Sequence, residues 1–243
     1  MTVTWEELGW ERLRPGAGRC RLPGWDCTAG LVYGADAALL IDAGASPREG
    51  AFLAERARAL AGRPVTHLVL THPHFDHVFG MAAFGGAEVF GAAGMAAALT
   101  GPGARAELRA DAVRHGLPEA DAAEAARSLT APGRSVTGEL ALDLGGGVRA
   151  LLVHAGPGHT AHDLAVLVPG DPAVVFCGDL VEESGAPQAG PDAVPPRWPG
   201  ALDRLLALGG EDALYVPGHG AVVGAAFVRD QRDALAARFG VSA

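Results

Sequence analysis

Short runs of aliphatic and β-branched residues, bounded by glycine or proline, alternate along the chain with longer alanine-rich stretches of helical character. The runs predict strands at residues 30–33, 38–41, 67–70, 88–90, 148–154, 164–167, 173–177 and 213–216. Helices are predicted at residues 47–61, 78–85, 92–99, 104–115, 119–129, 199–208 and 225–239. The first of these carries its own start signal, because Ser46 can cap it and Pro47 suits its first turn. Strands interleaved with helices in this way predict a mixed α/β class. Residues 78–100 come nearest to a membrane span, but they are built from Ala and Gly and broken by Glu88, so they read as helix and turn.

At 243 residues the chain allows one large domain or two small ones; no linker or composition break divides it, so residues 1–243 are read as a single domain. A weak echo links GADAALLIDAG at 34–44 with GDPAVVFCGDL at 170–180, each a turn, a buried strand and an Asp, and suggests two related half-sheets. With 49% hydrophobic and 19% charged residues the chain can bury a sizeable core and is not of the disordered class. A net charge of −9 argues against nucleic acid and anionic membranes as partners and leaves a small-molecule substrate. All basic residues are Arg, which excludes lysine Schiff-base chemistry and the phosphate-loop lysine. Cys20, Cys27 and Cys177 form no readable disulfide framework, and the N-terminus has no secretory pattern, so a reducing, cytoplasmic setting is expected.

The chemistry concentrates in THLVLTHPHFDHVFG, where a buried strand runs into Thr71, His72, Pro73, His74, Phe75, Asp76 and His77. His72 and His74 alternate outward on one side of the loop, while Asp76 and His77 begin a helical turn and can face a second point. That arrangement suits two adjacent metal ions, and imidazole and carboxylate donors favour Zn²⁺, with Mn²⁺, Fe or Co on the same chemistry. Three later loops also place a ligand type just past a buried strand: His159 in GPGHT, Asp179 in CGD and His219 in PGHG. Strand ends converging from separate parts of a chain are how α/β folds build sites.

These motifs, from LLIDAG at 39–44 through THPHFDH at 71–77 and GPGHT at 156–160 to CGD at 177–179 and PGHG at 217–220, resemble the metallo-β-lactamase superfamily. The resemblance implies a four-layer αββα sandwich with a metal centre at one edge between the sheets. It implies His72, His74 and His159 as ligands of one ion and Asp76, His77 and His219 as ligands of the other, with Asp179 bridging both. Asp42 matches a family position near the site that does not ligate, where it can hold a ligand histidine. His162 stands one place before a histidine common in the family and is weighed as a proton carrier against a plain surface residue.

Two such ions would bring a shared water close to neutral pKa, and the bridging hydroxide would attack a small carbonyl substrate, an ester, lactone or thioester, oriented by Asp76 as the catalytic residue. No GxSxG elbow supplies a serine alternative. Iron-dependent redox chemistry resembling persulfide dioxygenases, weak β-lactamase activity and a non-enzymatic metal-binding scaffold are the competing readings. The glutathione substrate of glyoxalase-type thioesterases is disfavoured, because the chain ends 24 residues after His219, without the helical domain those enzymes place there. Quorum-lactone hydrolases share the FDH step, but they carry a tyrosine where this chain reads LVEES at 180–184. Residues 101–129 are weighed as a lid over the metal edge, and Trp25 and Trp198 as residues of a substrate mouth. His67, His115, His154 and Cys177 are read as structural.

Overall fold

A computed structural model describes residues 4–241. One sheet contains, in spatial as well as chain order, β1 (Glu11–Arg14), β2 (Ala17–Arg21), β3 (Thr28–Tyr33), β4 (Ala38–Ile41), β5 (His67–Val69), β6 (Glu88–Ala92) and β7 (Arg134–Val136). The second follows with β8 (Glu139–Gly145), β9 (Val148–His154), β10 (Leu164–Val168), β11 (Val174–Glu182) and β12 (Leu214–His219). Pairing is antiparallel through β4 and parallel from β4 to β7; in the second sheet only β11 and β12 run parallel.

Side-chain alternation along each strand builds the layers. Leu39 and Ile41 of β4, with Val69 and Phe90, face the second sheet and meet Leu152, Val166, Val174, Phe176 and Val216 in the inter-sheet core. The intervening Leu40, Leu68 and Leu70 face outward and are covered by α1 (Pro47–Ala61), α2 (Phe75–Val78), α3 (Met95–Thr100), α4 (Ala104–Arg114) and α5 (Glu119–Ser128). On the far side Val175, Cys177 and Tyr215 lie under α6 (Trp198–Gly209) and α7 (Ala225–Phe239). The result is the expected αββα sandwich, and both sheets read as apolar runs because each is covered on both faces.

Ser46 caps α1 as expected, accepting from the Glu49 amide, while the Glu49 carboxylate accepts from the Ala45 amide. Two helix expectations are corrected. In place of one helix at 78–85 the chain forms α2 and then a 3-10 turn at Met81–Phe84, because Gly80 packs backbone to backbone on Gly50 and Ala43, where a Cβ would collide with both. In place of a helix from residue 92, β6 runs to Ala92 and α3 starts at Met95. Four strands were not expected: β1, β2, β7 and β8, of which β1, β7 and β8 lie at sheet edges. Among the described residues no helix is long and apolar enough to cross a membrane.

Candidate metal centre

The site lies where the ends of β4, β5, β11 and β12 meet the loop after β9. The segment after β5 brings His72, His74, Asp76 and His77; the second sheet brings His159, Asp179 and His219. All seven expected residues come together around Asp179. Its Oδ2 lies 3.6 Å from His72 Nε2, 3.5 Å from His159 Nε2 and 3.3 Å from His219 Nε2, and its Oδ1 lies 3.1 Å from His77 Nε2. His74 Nδ1 stands 2.9 Å from His159 Nε2, and Asp76 Oδ2 is 3.3 Å from His219 Nε2. Donor atoms of His72, His74, His159 and Asp179 fall within 4.8 Å of one another, as do those of His77, Asp179 and His219.

Every imidazole points one nitrogen inward because its other nitrogen is held from outside. His72 Nδ1 meets the Thr71 hydroxyl at 3.0 Å and His77 Nδ1 meets Asp42 Oδ2 at 2.9 Å. His159 Nδ1 meets the Gln188 carbonyl at 3.0 Å, and His219 Nδ1 the Trp25 carbonyl at 2.7 Å. For His74 the roles are reversed: Nε2 contacts Asp192 Oδ2 at 3.1 Å and Nδ1 faces the cluster. An outer acceptor that fixes tautomer and ring orientation is the usual support of a ligating histidine. The expected position of Asp42 behind a site histidine is thus observed; Asp192, Gln188 and the Trp25 carbonyl escaped the sequence reading. Gly218 lets the carboxylate sit, because a Cβ there would overlap Asp179 Oδ1.

The inner face is electrostatically unfinished. His72 Nε2 and Asp179 Oδ1 are fully buried without a hydrogen-bond partner, an expensive arrangement unless a cation joins them. Burial, helped by neighbouring imidazoles, lowers His72 well below the ordinary histidine value and His159 to about 4, so both present the unprotonated nitrogen a metal needs. Burial alone would also lower His219, but the Asp179 and Asp76 carboxylates push it up to about 12.

Other residues sort by position. Asp163 accepts from the Gly158 amide and from the Thr160 amide and hydroxyl, bracing the loop that carries His159. His162 turns away to the Ala93 carbonyl at 2.8 Å and packs on Gly94, so it is not a proton carrier at this centre. Cys27 donates to the Asp76 carbonyl at 3.2 Å, and burial pushes its thiol up to about 11. Cys177 packs in the outer core, as expected. Trp198 is fully buried, donates to the Leu180 carbonyl and meets His159 edge-on, so it supports the site and does not line a mouth. Trp25 does line one. It stands edge-on to Phe75 at 5.5 Å on the wall of a cavity of about 1100 Å³ that opens over the cluster. His115, read as structural, forms the same wall, stacked on Phe75 at 5.8 Å.

A sequence model of the family described as "Metallo-beta-lactamase superfamily" matches residues 22–219. The chain is 30% identical over 187 residues to a hydroxyacylglutathione hydrolase of Cupriavidus metallidurans, a match covering 76% of this chain and 59% of that protein. It is 30% identical over 162 residues to metallo-beta-lactamase domain-containing protein 1 of Xenopus laevis, covering 66% and 56% respectively. The chain therefore spans less than two thirds of the length of both relatives. Among solved structures, a metallo-beta-lactamase from Pontibacter korlensis superposes with a TM-score of 0.71 at 22% identity, over 93% of this chain and 97% of that one. The FIM-1 metallo-beta-lactamase of Pseudomonas aeruginosa, in its mono-zinc form, gives 0.68 at 20% identity over 96% of each chain.

Proposed function

The chain belongs to the metallo-β-lactamase superfamily, and on that premise we propose that it is a dinuclear metal-dependent hydrolase of a small carbonyl substrate, an ester, lactone or thioester. The observation that carries this reading is the pair of orphaned buried atoms, His72 Nε2 and Asp179 Oδ1, at the focus of five imidazoles whose outer nitrogens are all engaged. The donor set fits two ions: His72, His74 and His159 would hold one, Asp76, His77 and His219 the other, with Asp179 shared. Nitrogen and carboxylate donors suit Zn²⁺, and Mn²⁺ or Fe by the same chemistry. Bound there, two divalent ions supply Lewis acidity and make water nucleophilic near neutral pH.

The chain's own residues then divide the work. Asp76, on the cavity floor, orients the attacking water and takes up its proton. Asp42, Asp192 and the Gln188 and Trp25 carbonyls keep the imidazole rings from turning. Trp25 and Phe75 shield one side of the reacting carbonyl from bulk water. The thioester bond gains support from the relative named hydroxyacylglutathione hydrolase. A cytoplasmic setting, a single domain and a small-molecule partner complete the reading.

Protein purified without added metal is expected to contain about two equivalents of zinc or a similar ion per chain, and to hydrolyse members of an ester, lactone and thioester panel. The His72→Ala/His74→Ala double variant should lose roughly one equivalent and its hydrolysis. Undiminished turnover by that variant after chelation would sink the proposal, and iron content with oxygen-dependent turnover would favour redox chemistry instead.

A further inference from the structure

We propose that the cavity over the metal centre selects substrates by charge, taking an acyl chain that is apolar and a leaving group that is neutral or cationic, and turning away leaving groups that carry carboxylates. This inference rests on the hydrolase reading above and names the substrate class of the same site.

The cavity has two unlike surfaces. Trp25, Phe75, Ala97 and Leu108 give it an apolar wall, and at about 1100 Å³ it has room for a medium-length acyl chain alongside a leaving group. Besides Asp76 and Asp179, four carboxylates stand around it: Glu107 and Asp111 on α4, Glu182 at the end of β11, and Asp192 on the loop after β11, whose Oδ2 meets His74 Nε2 at 3.1 Å. Asp76 and Asp179 are outside this count, since they face the ions. Against these four stands one guanidinium, that of Arg114, the only Arg among the lining residues, and it is already bound to Asp111 Oδ1 at 2.6 Å. The chain has no lysine that could be recruited, and its net charge is −9.

Outside the metal cluster a substrate carboxylate entering this chamber therefore meets like charges and no unpaired guanidinium, whereas a quaternary ammonium meets carboxylates and the half-buried Trp25 ring. The carbonyl end is indifferent to this, because it is held at the metal cluster. Glutathione, with two carboxylates, is the kind of leaving group the chamber disfavours, even though thioester chemistry suits the centre.

The test uses one octanoyl chain on three thiols, namely thiocholine, N-acetylcysteamine and glutathione, with the metal-loaded full chain. Expected kcat/KM falls in that order, with thiocholine ahead of glutathione by about tenfold at low salt and the gap shrinking at ~0.5 M salt. Binding is read separately by calorimetry with the non-hydrolysable S-octyl thioethers of thiocholine and glutathione, on loaded and on chelated protein. The cation is expected to bind more tightly in both, and the Glu107→Gln/Asp111→Asn double variant to narrow both ratios about threefold. Should that variant fail to fold, the salt dependence of the unaltered chain still decides. Equal or better use and binding of the glutathione compounds overturns the charge-selection inference and leaves the hydrolase reading intact. Absence of hydrolysis on all three thioesters and on the ester and lactone panel, with the binding order preserved, overturns the hydrolase reading instead.

Discussion

Asp42 shows how much one buried carboxylate decides. It adopts a φ of 61°, a left-handed conformation that Asp and Asn tolerate better than other side chains. There its Oδ1 accepts from the Thr71 amide at 2.7 Å, and its Oδ2 from the Thr71 hydroxyl at 2.7 Å and from His77 Nδ1 at 2.9 Å. Asn in its place keeps backbone and volume but turns an NH₂ towards His77 Nδ1 or the Thr71 donors. The imidazole then shifts its proton to Nε2, the atom facing the cluster. Asp42→Asn is expected to stay folded by circular dichroism and to bind metal about 10–100-fold more weakly in chelator competition; unchanged affinity would deny Asp42 this role. Glu182 offers a pH test in the chelated protein. Burial and the neighbouring Asp179 push its carboxyl from 4.5 up to about 7. The folded chain then binds this proton more tightly than the unfolded one, so the contribution is fully present below about pH 4.5 and is lost as pH rises towards 7. It amounts to at most about 3 kcal/mol. Urea melts across that window should show a shallower loss in Glu182→Gln, and parallel curves would refute the shift. At this scale the candidate ligands were legible, because His72 to His77 crowd one loop and the other three follow buried strands. Their outer partners were not, since a lone Asp192 or a backbone carbonyl of Gln188 or Trp25 leaves no spacing pattern to read.

Elements were legible where two-sided burial comes with an aliphatic run and obscure where it does not: β2 is buried from Ala17 to Cys20, but AGRCR shows no apolar pattern. β4 and the Val174–Cys177 half of β11 announce themselves as unbroken apolar runs, whereas Glu11–Arg14 carries charges on both faces at a sheet edge and gives no such signal. β8 did carry one: Leu140, Leu142 and Leu144 alternate with charged or small residues in ELALDLG, the period of a half-exposed edge strand. The helical segment at 101–129 divides in a way its composition could not reveal. α4 walls the cavity with Ala104, Leu108 and Asp111, while α5 sends Ala122, Ala125 and Ala126 into the core around α1. Removing the whole segment would therefore strip the core, and the two helices must be probed singly. Leu108→Ala is expected to raise KM for octanoyl substrates several-fold at a stability cost of about 2 kcal/mol. Ala125→Asp, which buries an unpaired charge, should cost more than about 3 kcal/mol and leave little folded protein. An unaltered KM in Leu108→Ala would remove α4 from the acyl path.

The whole molecule is two sheets sharing one apolar interior, with the candidate centre sitting as a polar clasp on the seam between them. His72, His74, Asp76 and His77 hang from the first sheet, and His159, Asp179 and His219 from the second, so ions held by both sets would tie the layers together. Without them the seam keeps two buried atoms unpaired and the Asp179 carboxylate 3.1–3.6 Å from four imidazoles. Binding to the folded state alone stabilises it by about 4 kcal/mol once free metal exceeds the dissociation constant a thousandfold. For a chain of this size each kcal/mol moves Tm by roughly 2–4 °C, so chelation is expected to lower Tm by roughly 8–16 °C, reversibly on adding metal back. The loss should also appear as faster amide exchange in strands of both sheets next to the seam, including β5 and β12, and not in α1 or the far ends of the strands. If protein shown by metal analysis to be fully stripped melts at the same temperature, or if only one sheet loosens, the ions do not bridge the layers and the shared role of Asp179 fails with them.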